Sequence, residues 1–281
     1  MRSVTPAKTV TGDCPVDPVR EIDWWLDPNP ERALEKYLQM YRSSAYARHN
    51  FKAVERLIPR PNRSVSTALD YGCGGGRITV HLAQMGYRVL ASDAGPCALA
   101  ACQEHTRVAG VTSRVVHTLN EAPDYWKGLD GPFDLIVAKD VLEHIADDVT
   151  FLREASARLV TGGNLLLVTQ NDYSWNYVLE SPRATAENPY WMGWHPTEHK
   201  RFYNMPRLKG LLAAFSLHPV RWQSHYLVPY RCWRGWPWQR LRNAVIKIAG
   251  EDVFYWPERL LGAAWPFHAL GWSIHVLAVR K

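Results

Sequence analysis

From residue 67 to residue 169 short apolar runs alternate strictly with segments of helical spacing. Thr67 to Tyr71 is the first run. Tyr87 to Ser92, Ser113 to His117, Phe133 to Ala138 (FDLIVA) and Asn164 to Thr169 (NLLLVT) follow, the last entered through Gly162-Gly163. Between them, helical spacing carries Val80, Leu82 and Met85, then Cys97 to Ala109, then Asp140 to Leu159. Strands that are apolar almost throughout are buried on both faces, and strands separated by helices run parallel. The order predicts an α/β fold, a doubly wound parallel sheet covered on both sides. Ahead of it, Pro30 to Leu57 reads as one helix with Leu34, Tyr37, Leu38 and Tyr41 on one face, while residues 1–22 hold no periodic pattern.

The first strand runs into DYGCGGG, with glycines at 72, 74, 75 and 76 right behind Asp70. Glycine weakens strands and helices, so four together mark a place where something approaches the backbone closely. A strand-to-helix turn is where an open parallel sheet binds its ligand. A nicotinamide-binding turn needs G-x-G-x-x-G. Counted from Gly72, Arg77 stands where the third glycine should be; counted from Gly74, Thr79 does. The spacing therefore argues against NAD. A carboxylate so near the turn suits an ammonium group rather than a pyrophosphate. Asp93, 21 residues after Gly72, ends the second strand, where a carboxylate accepts the two hydroxyls of a ribose. A ligand with a ribose and a charged amino group is implied, and S-adenosylmethionine has both.

DYGCGGG, ASDAG, FDLIVAKDVLEHI and LVTGGNLLLVTQN, in that order, resemble the successive motifs of class I S-adenosylmethionine-dependent methyltransferases. The similarity is strongest to the branch with ubiquinone-biosynthesis and natural-product O-methyltransferases. HPTEHKRFYNMPRLKGLLAAFSL is similar to that branch's histidine-containing loop and following helix. The resemblance spans about residues 65–220; residues 1–40 and 223–270 match no pattern of the family. It implies a Rossmann-like sheet of seven strands with the last antiparallel, for which Gly271 to Val279 is fitting, and helical additions forming a lid. It divides the chain into a tail with lid helices (1–64) and a core (65–281) with substrate-side insertions near 174–209 and 230–262. It also implies cofactor roles. Asp70 would hold the methionine ammonium, directly or through water. Gly72 and Gly74 would admit the methionine part. Asp93 would bind the ribose, Ala94 would pack on adenine, Leu119 and Asn120 would flank it, and the Lys139 backbone would reach the methionine part. Tyr41, Arg48 and Lys52 are candidates for its carboxylate.

Methyl transfer from a sulfonium needs mainly alignment and a water-poor pocket. An oxygen nucleophile also needs its proton removed. The i, i+3, i+4 spacing of Asp140, Glu143 and His144 puts them on one face of the expected helix. That face suits a general base, a divalent-metal ligand set, or simple packing under the cofactor; no metal is assigned from sequence. His199, in the loop after strand five, is the other candidate base, ahead of His195. Cys73 reads as a small apolar filler, and Trp24-Trp25 as core or lid packing.

Residues 175–281 carry 14 Lys/Arg and 6 Asp/Glu, so +8 of the +6 total lies there and −2 in the rest. Ten of the thirteen tryptophans lie there too. Residues 222–248 mix tryptophan and arginine, with Trp238, Leu241, Val245 and Ile248 at helical spacing. The segment reads as a lid over the acceptor, with an interfacial membrane helix as the second reading; nucleic acid is the least favoured partner. The chain has no apolar run of about 18 residues, the length that spans a bilayer. Five cysteines without metal or redox spacing read as free thiols in a reducing cytoplasm. The expected reaction is O-methylation of a small hydroxylated acceptor, an aromatic or natural-product metabolite. The alternatives are N- or C-methylation of a sugar, lipid or quinone precursor at a membrane surface, and a cofactor-binding partner protein without catalysis.

Overall fold

A computed structural model describes residues 27–120, 124–175, 199–227 and 238–281. Seven strands form one sheet: β1 (Thr67–Tyr71), β2 (Arg88–Asp93), β3 (Val115–Leu119), β4 (Phe133–Lys139), β5 (Leu159–Gln170), β6 (Leu217–His225) and β7 (Ser273–Arg280). Their order is β3-β2-β1-β4-β5-β7-β6. β1 to β5 pair in parallel, and β7 is antiparallel to both β5 and β6. The expected seven-stranded sheet with an antiparallel last strand is what forms. The order reverses between β1 and β4, and ligands of open α/β sheets bind at the carboxyl ends of the strands flanking such a reversal.

Helices α1 (Pro30–Ser43), α2 (Ala45–Leu57), α3 (Arg77–Met85) and α4 (Pro96–Val108) cover one face. There Leu34, Tyr37, Val54, Ile78, Leu82 and Cys102 bury against Val89, Val137 and Leu166 of the sheet. α5 (Asp148–Arg158) and α6 (Met205–Ala213) cover the other, where Phe151, Leu152, Leu208 and Leu212 meet Ile136, Leu167 and Val276. β1, β4, β5 and β7 therefore send alternate apolar side chains into two separate cores, which is why their sequences read as nearly continuous apolar runs.

Two expectations are corrected. Pro30 to Leu57 is two helices, because the Ser44 hydroxyl accepts the Ala47 amide at 3.1 Å and starts α2 afresh. Asp140 to Leu159 is not one helix either. Asp140 lies in the left-handed region (φ 54°), a single 3₁₀ turn follows at Leu142–His144, and α5 begins only where Asp147 caps the Thr150 amide at 2.9 Å. Asp140, Glu143 and His144 do not share a helix face. Trp24-Trp25 and His195 lie outside the described residues, as does residues 228–237 of the tryptophan-rich segment.

Candidate active site

The glycine turn is pinned to its neighbours by backbone. Gly72 and Cys73 amides donate to the Ser92 carbonyl at 2.8 and 2.9 Å. Gly72 has φ 74°, and a Cβ there would sit 2.4 Å from Val141 Cγ2. A Cβ on Gly75 would enter the ring of Tyr37, 2.5 Å from its Cδ1. The turn is thus squeezed between α1 on one side and the segment after β4 on the other, and only glycine fits.

Asp93 anchors it from β2. Its Oδ2 accepts the Gly74 amide and its Oδ1 the Gly95 amide, each at 2.8 Å. Burial raises its pKa, and these amide bonds oppose that. A carboxylate oxygen has two lone pairs, so each retains one for a neighbouring pair of hydroxyls. Ala94 beside it is exposed and Leu119 is 37% exposed, giving an apolar surface at the ends of β2 and β3. Asn120 is buried, its backbone amide donates to the Asp93 carbonyl at 3.0 Å, and its Oδ1 has no hydrogen-bond partner among the described residues. A buried amide oxygen left unpaired is costly, so this end of the sheet is built for a donor. Diol acceptors, a small apolar shelf and an amide oxygen together fit an adenosine group.

Asp70 turns inward. The Thr79 hydroxyl of α3 donates to its Oδ2 at 2.6 Å, and burial, with Cys102 and Asp93 nearby, pushes its pKa up to about 7. Lys139 ends β4 with its ammonium paired to Asp140 and 5.3 Å over the Phe51 ring. Of the carboxylate candidates, Arg48 is engaged by Glu251 and by the Tyr41 and Arg42 carbonyls, and Lys52 pairs with Asp252 at 3.1 Å. Tyr41, in the last turn of α1, is buried. Arg77, the residue that breaks the nicotinamide pattern, is a further candidate that spacing did not single out. Its guanidinium lies 4.8 Å from the Tyr41 ring, 4.6 Å from the Phe51 ring and 3.9 Å from Glu55, and its buried Nε has no partner among the described residues.

On the other side of β4 the fold gathers three candidates into one place. Glu143, His144 and His199 each present one atom within 4.8 Å of the others. The Lys200 amide donates to the Glu143 carbonyl at 2.6 Å, which draws the 199–200 segment against the 3₁₀ turn. The His144 and His199 rings stand edge to face, 4.7 Å apart. Glu143 is fully buried; Thr169 donates to its Oε2 at 2.8 Å, while Oε1 has no partner among the described residues. Burial and the nearby Asp140 raise its pKa to about 8. Burial, with His144 beside it, lowers His199 to about 4, so its imidazole is neutral at pH 7. His144 is exposed. His199 held neutral, with His144 and the Glu143 carboxyl beside it, makes a donor set for a proton or a cation. Ligands held about 2 Å from a divalent ion lie closer to each other than this.

Residues 39–221 match the family described as "Methyltransferase domain". Ubiquinone biosynthesis O-methyltransferase from Methylobacterium sp. strain 4-46 is 31% identical over 176 residues, 62% of this chain and 67% of the relative. The enzyme of that name from Methylocella silvestris is 30% identical over 205 residues, 69% of this chain and 77% of the relative. Among solved structures, geranyl diphosphate C-methyltransferase from Streptomyces coelicolor, in complex with Mg²⁺, geranyl diphosphate and S-adenosyl-L-homocysteine, superposes with a TM-score of 0.54 at 15% identity, covering 92% of this chain and 87% of that one. At that identity the likeness extends to the fold. Family membership sets aside the reading as a partner protein without catalysis. The glycine turn, the Asp93 anchor and these matches agree, and the chain belongs to the class I S-adenosylmethionine-dependent methyltransferases.

Proposed function

We propose that this enzyme transfers its methyl group to a hydroxyl oxygen of a small aromatic acceptor. The observation that carries the reading is the convergence of Glu143, His144 and His199 beyond the end of β4. The O-methyltransferase relatives support the same atom as target. Asp93 holds the ribose diol, Ala94 and Leu119 bracket the adenine, and Asn120 Oδ1 accepts its amino group. Gly72 and Gly74 admit the methionine part beside the Lys139 backbone, with Asp70 on the ammonium side and Arg77 toward the carboxylate. Bound S-adenosylmethionine supplies a methyl group already activated by its sulfonium. The protein's remaining task is to align the acceptor and remove its proton. His199, neutral at pH 7 and buried, takes that proton; Glu143 and His144 hold and orient it.

A second reading is favoured by one observation, the unpaired buried Oε1 of Glu143. A divalent cation held by Glu143, His144 and His199 would satisfy that oxygen and lower the pKa of an acceptor hydroxyl. Methyl-¹³C-labelled cofactor, offered with a panel of mono- and dihydroxylated arenes, tests the proposal. Product carrying the label in a methoxy group is expected. Label on carbon or nitrogen overturns the assignment to oxygen, and chelator treatment of the active mixture separates base from metal.

A further inference from the structure

Among the described residues between β6 and β7 are three α-helices, α7 (Trp238–Ala249), α8 (Glu251–Phe254) and α9 (Trp256–Ala263). The last of these is amphipathic in the reverse sense. Tyr255, Glu258 and Gly262, spaced i, i+3, i+7, are the buried positions. Glu258 points inward, where its Oε1 accepts the Leu227 amide at 2.9 Å. Gly262 is there because a Cβ would stand 2.1 Å from the Ser224 carbonyl of β6. From Trp256 to Phe267 every exposed residue is apolar; the two charged ones are buried Glu258 and half-buried Arg259. Trp256 is 54% exposed, Leu260 52% and Trp265 82%, and Leu261 and Phe267 extend the patch. Upstream, Ile248 of α7 is 86% exposed and Val253 of α8 60%. Scattered apolar residues are normal on a surface, but a run whose exposed positions are all apolar marks an interaction site.

We propose that this face seats on an anionic lipid surface, with α9 lying in the plane of the interface. Charge selects the occupant. In sequence, ten Lys/Arg and no Asp or Glu lie between residues 199 and 250, ahead of this face. Arg240 and Lys247 of α7 are exposed. Asp252, exposed nearby, is paired with Lys52 at 3.1 Å and Arg259 at 3.6 Å. A two-fold pairing with a second copy would set these basic groups against themselves. An anionic bilayer surface complements them, and tryptophans with apolar neighbours suit the headgroup boundary. No described helix is long and apolar enough to cross a membrane, so the face lies on the surface rather than spanning it. A bilayer there would deliver a lipid-dissolved acceptor.

Sedimentation with vesicles tests this, using the full chain. The probes are phosphatidylcholine alone and phosphatidylcholine with phosphatidylglycerol. Wild type should pellet with the anionic vesicles and be released by salt. The triple variant Trp256→Ser, Leu260→Ser, Trp265→Ser should lose more than tenfold in partitioning, with S-adenosylmethionine affinity by calorimetry within twofold of wild type. Arg240→Glu with Lys247→Glu should remove the salt-sensitive part alone, and serves if the triple variant does not fold. Wild type that stays in solution with both vesicles overturns the proposal. So do variants that bind as wild type, or a dimer by light scattering that the triple variant dissociates.

Discussion

The Gly74 amide donates to Asp93 Oδ2 at 2.8 Å, tying the loop after β1 to the end of β2. One carboxylate therefore does two things. It fixes the shape of the glycine turn and presents its remaining lone pairs at the mouth. Asp93→Ala should weaken S-adenosylmethionine binding by ~1–3 kcal/mol, the cost of losing a charged hydrogen-bond partner. Titration calorimetry on the folded variant checks this, and unchanged affinity would remove Asp93 from the site.

Asp70 gives cofactor binding a pH dependence. Its carboxyl is raised to about 7 by burial, so below that pH the free protein holds it protonated. An ammonium ligand favours the ionised form, and binding below pH 7 must first expel the proton. Affinity should then rise between pH 6 and 8, by up to about tenfold per unit below 7. The expected check is calorimetry across that range, with Asp70→Asn as the control that flattens the profile. A wild-type profile as flat as the variant's would separate Asp70 from the cofactor.

Buried histidines should lower stability on the acid side. His49, His225 and His275 are buried where α2 meets β6 and β7, with ring centroids 4.9 Å apart for each neighbouring pair. Burial lowers His49 to about 4 and His275 to about 3, and His225 is lowered too. A folded-state pKa below the unfolded value of 6.5 means stability is complete above pH 6.5 and declines as pH falls toward 4. Each such group removes about 1.4 kcal/mol per pH unit within that window. Asp70 and Glu143, raised to about 7 and about 8, act in the opposite sense over this range, so the test is the difference between two proteins. Melting temperatures of wild type and His275→Gln measured from pH 8 to 5 should diverge below 6.5, with wild type losing more. Parallel profiles would contradict the burial of a neutral imidazole at His275.

The glycine turn and the carboxylate that ties it were legible in sequence because they are local. Gly72, Gly74 and Asp93 fall at fixed distances along one strand-turn-helix unit, and Asn120 lies one residue past the next strand. The acceptor side was not. Glu143 meets His199 across 56 residues, through a loop whose course depends on the Lys200 amide reaching the Glu143 carbonyl. Helical spacing suggested that Asp140, Glu143 and His144 share a face, but the Asp147 cap starts α5 later and leaves only a 3₁₀ turn before it. Arg77 looked like a mere interruption of a nicotinamide pattern until Tyr41 and Phe51 closed around it. The apolar face of α9 was hidden for the same reason. Its polarity is set by Glu258 turning toward β6, which spacing alone does not reveal.

The convergence of Glu143, His144 and His199 is the centre of the account, and pre-steady-state methyl transfer tests it most directly. The rate of a single turnover would be compared between wild type, His199→Ala and Glu143→Gln, with cofactor affinity measured on the same preparations. The account predicts a rate ~10²–10⁴-fold lower for His199→Ala, a smaller loss for Glu143→Gln, and cofactor affinity within twofold throughout. A His199→Ala rate close to that of wild type, at unchanged affinity, would contradict it.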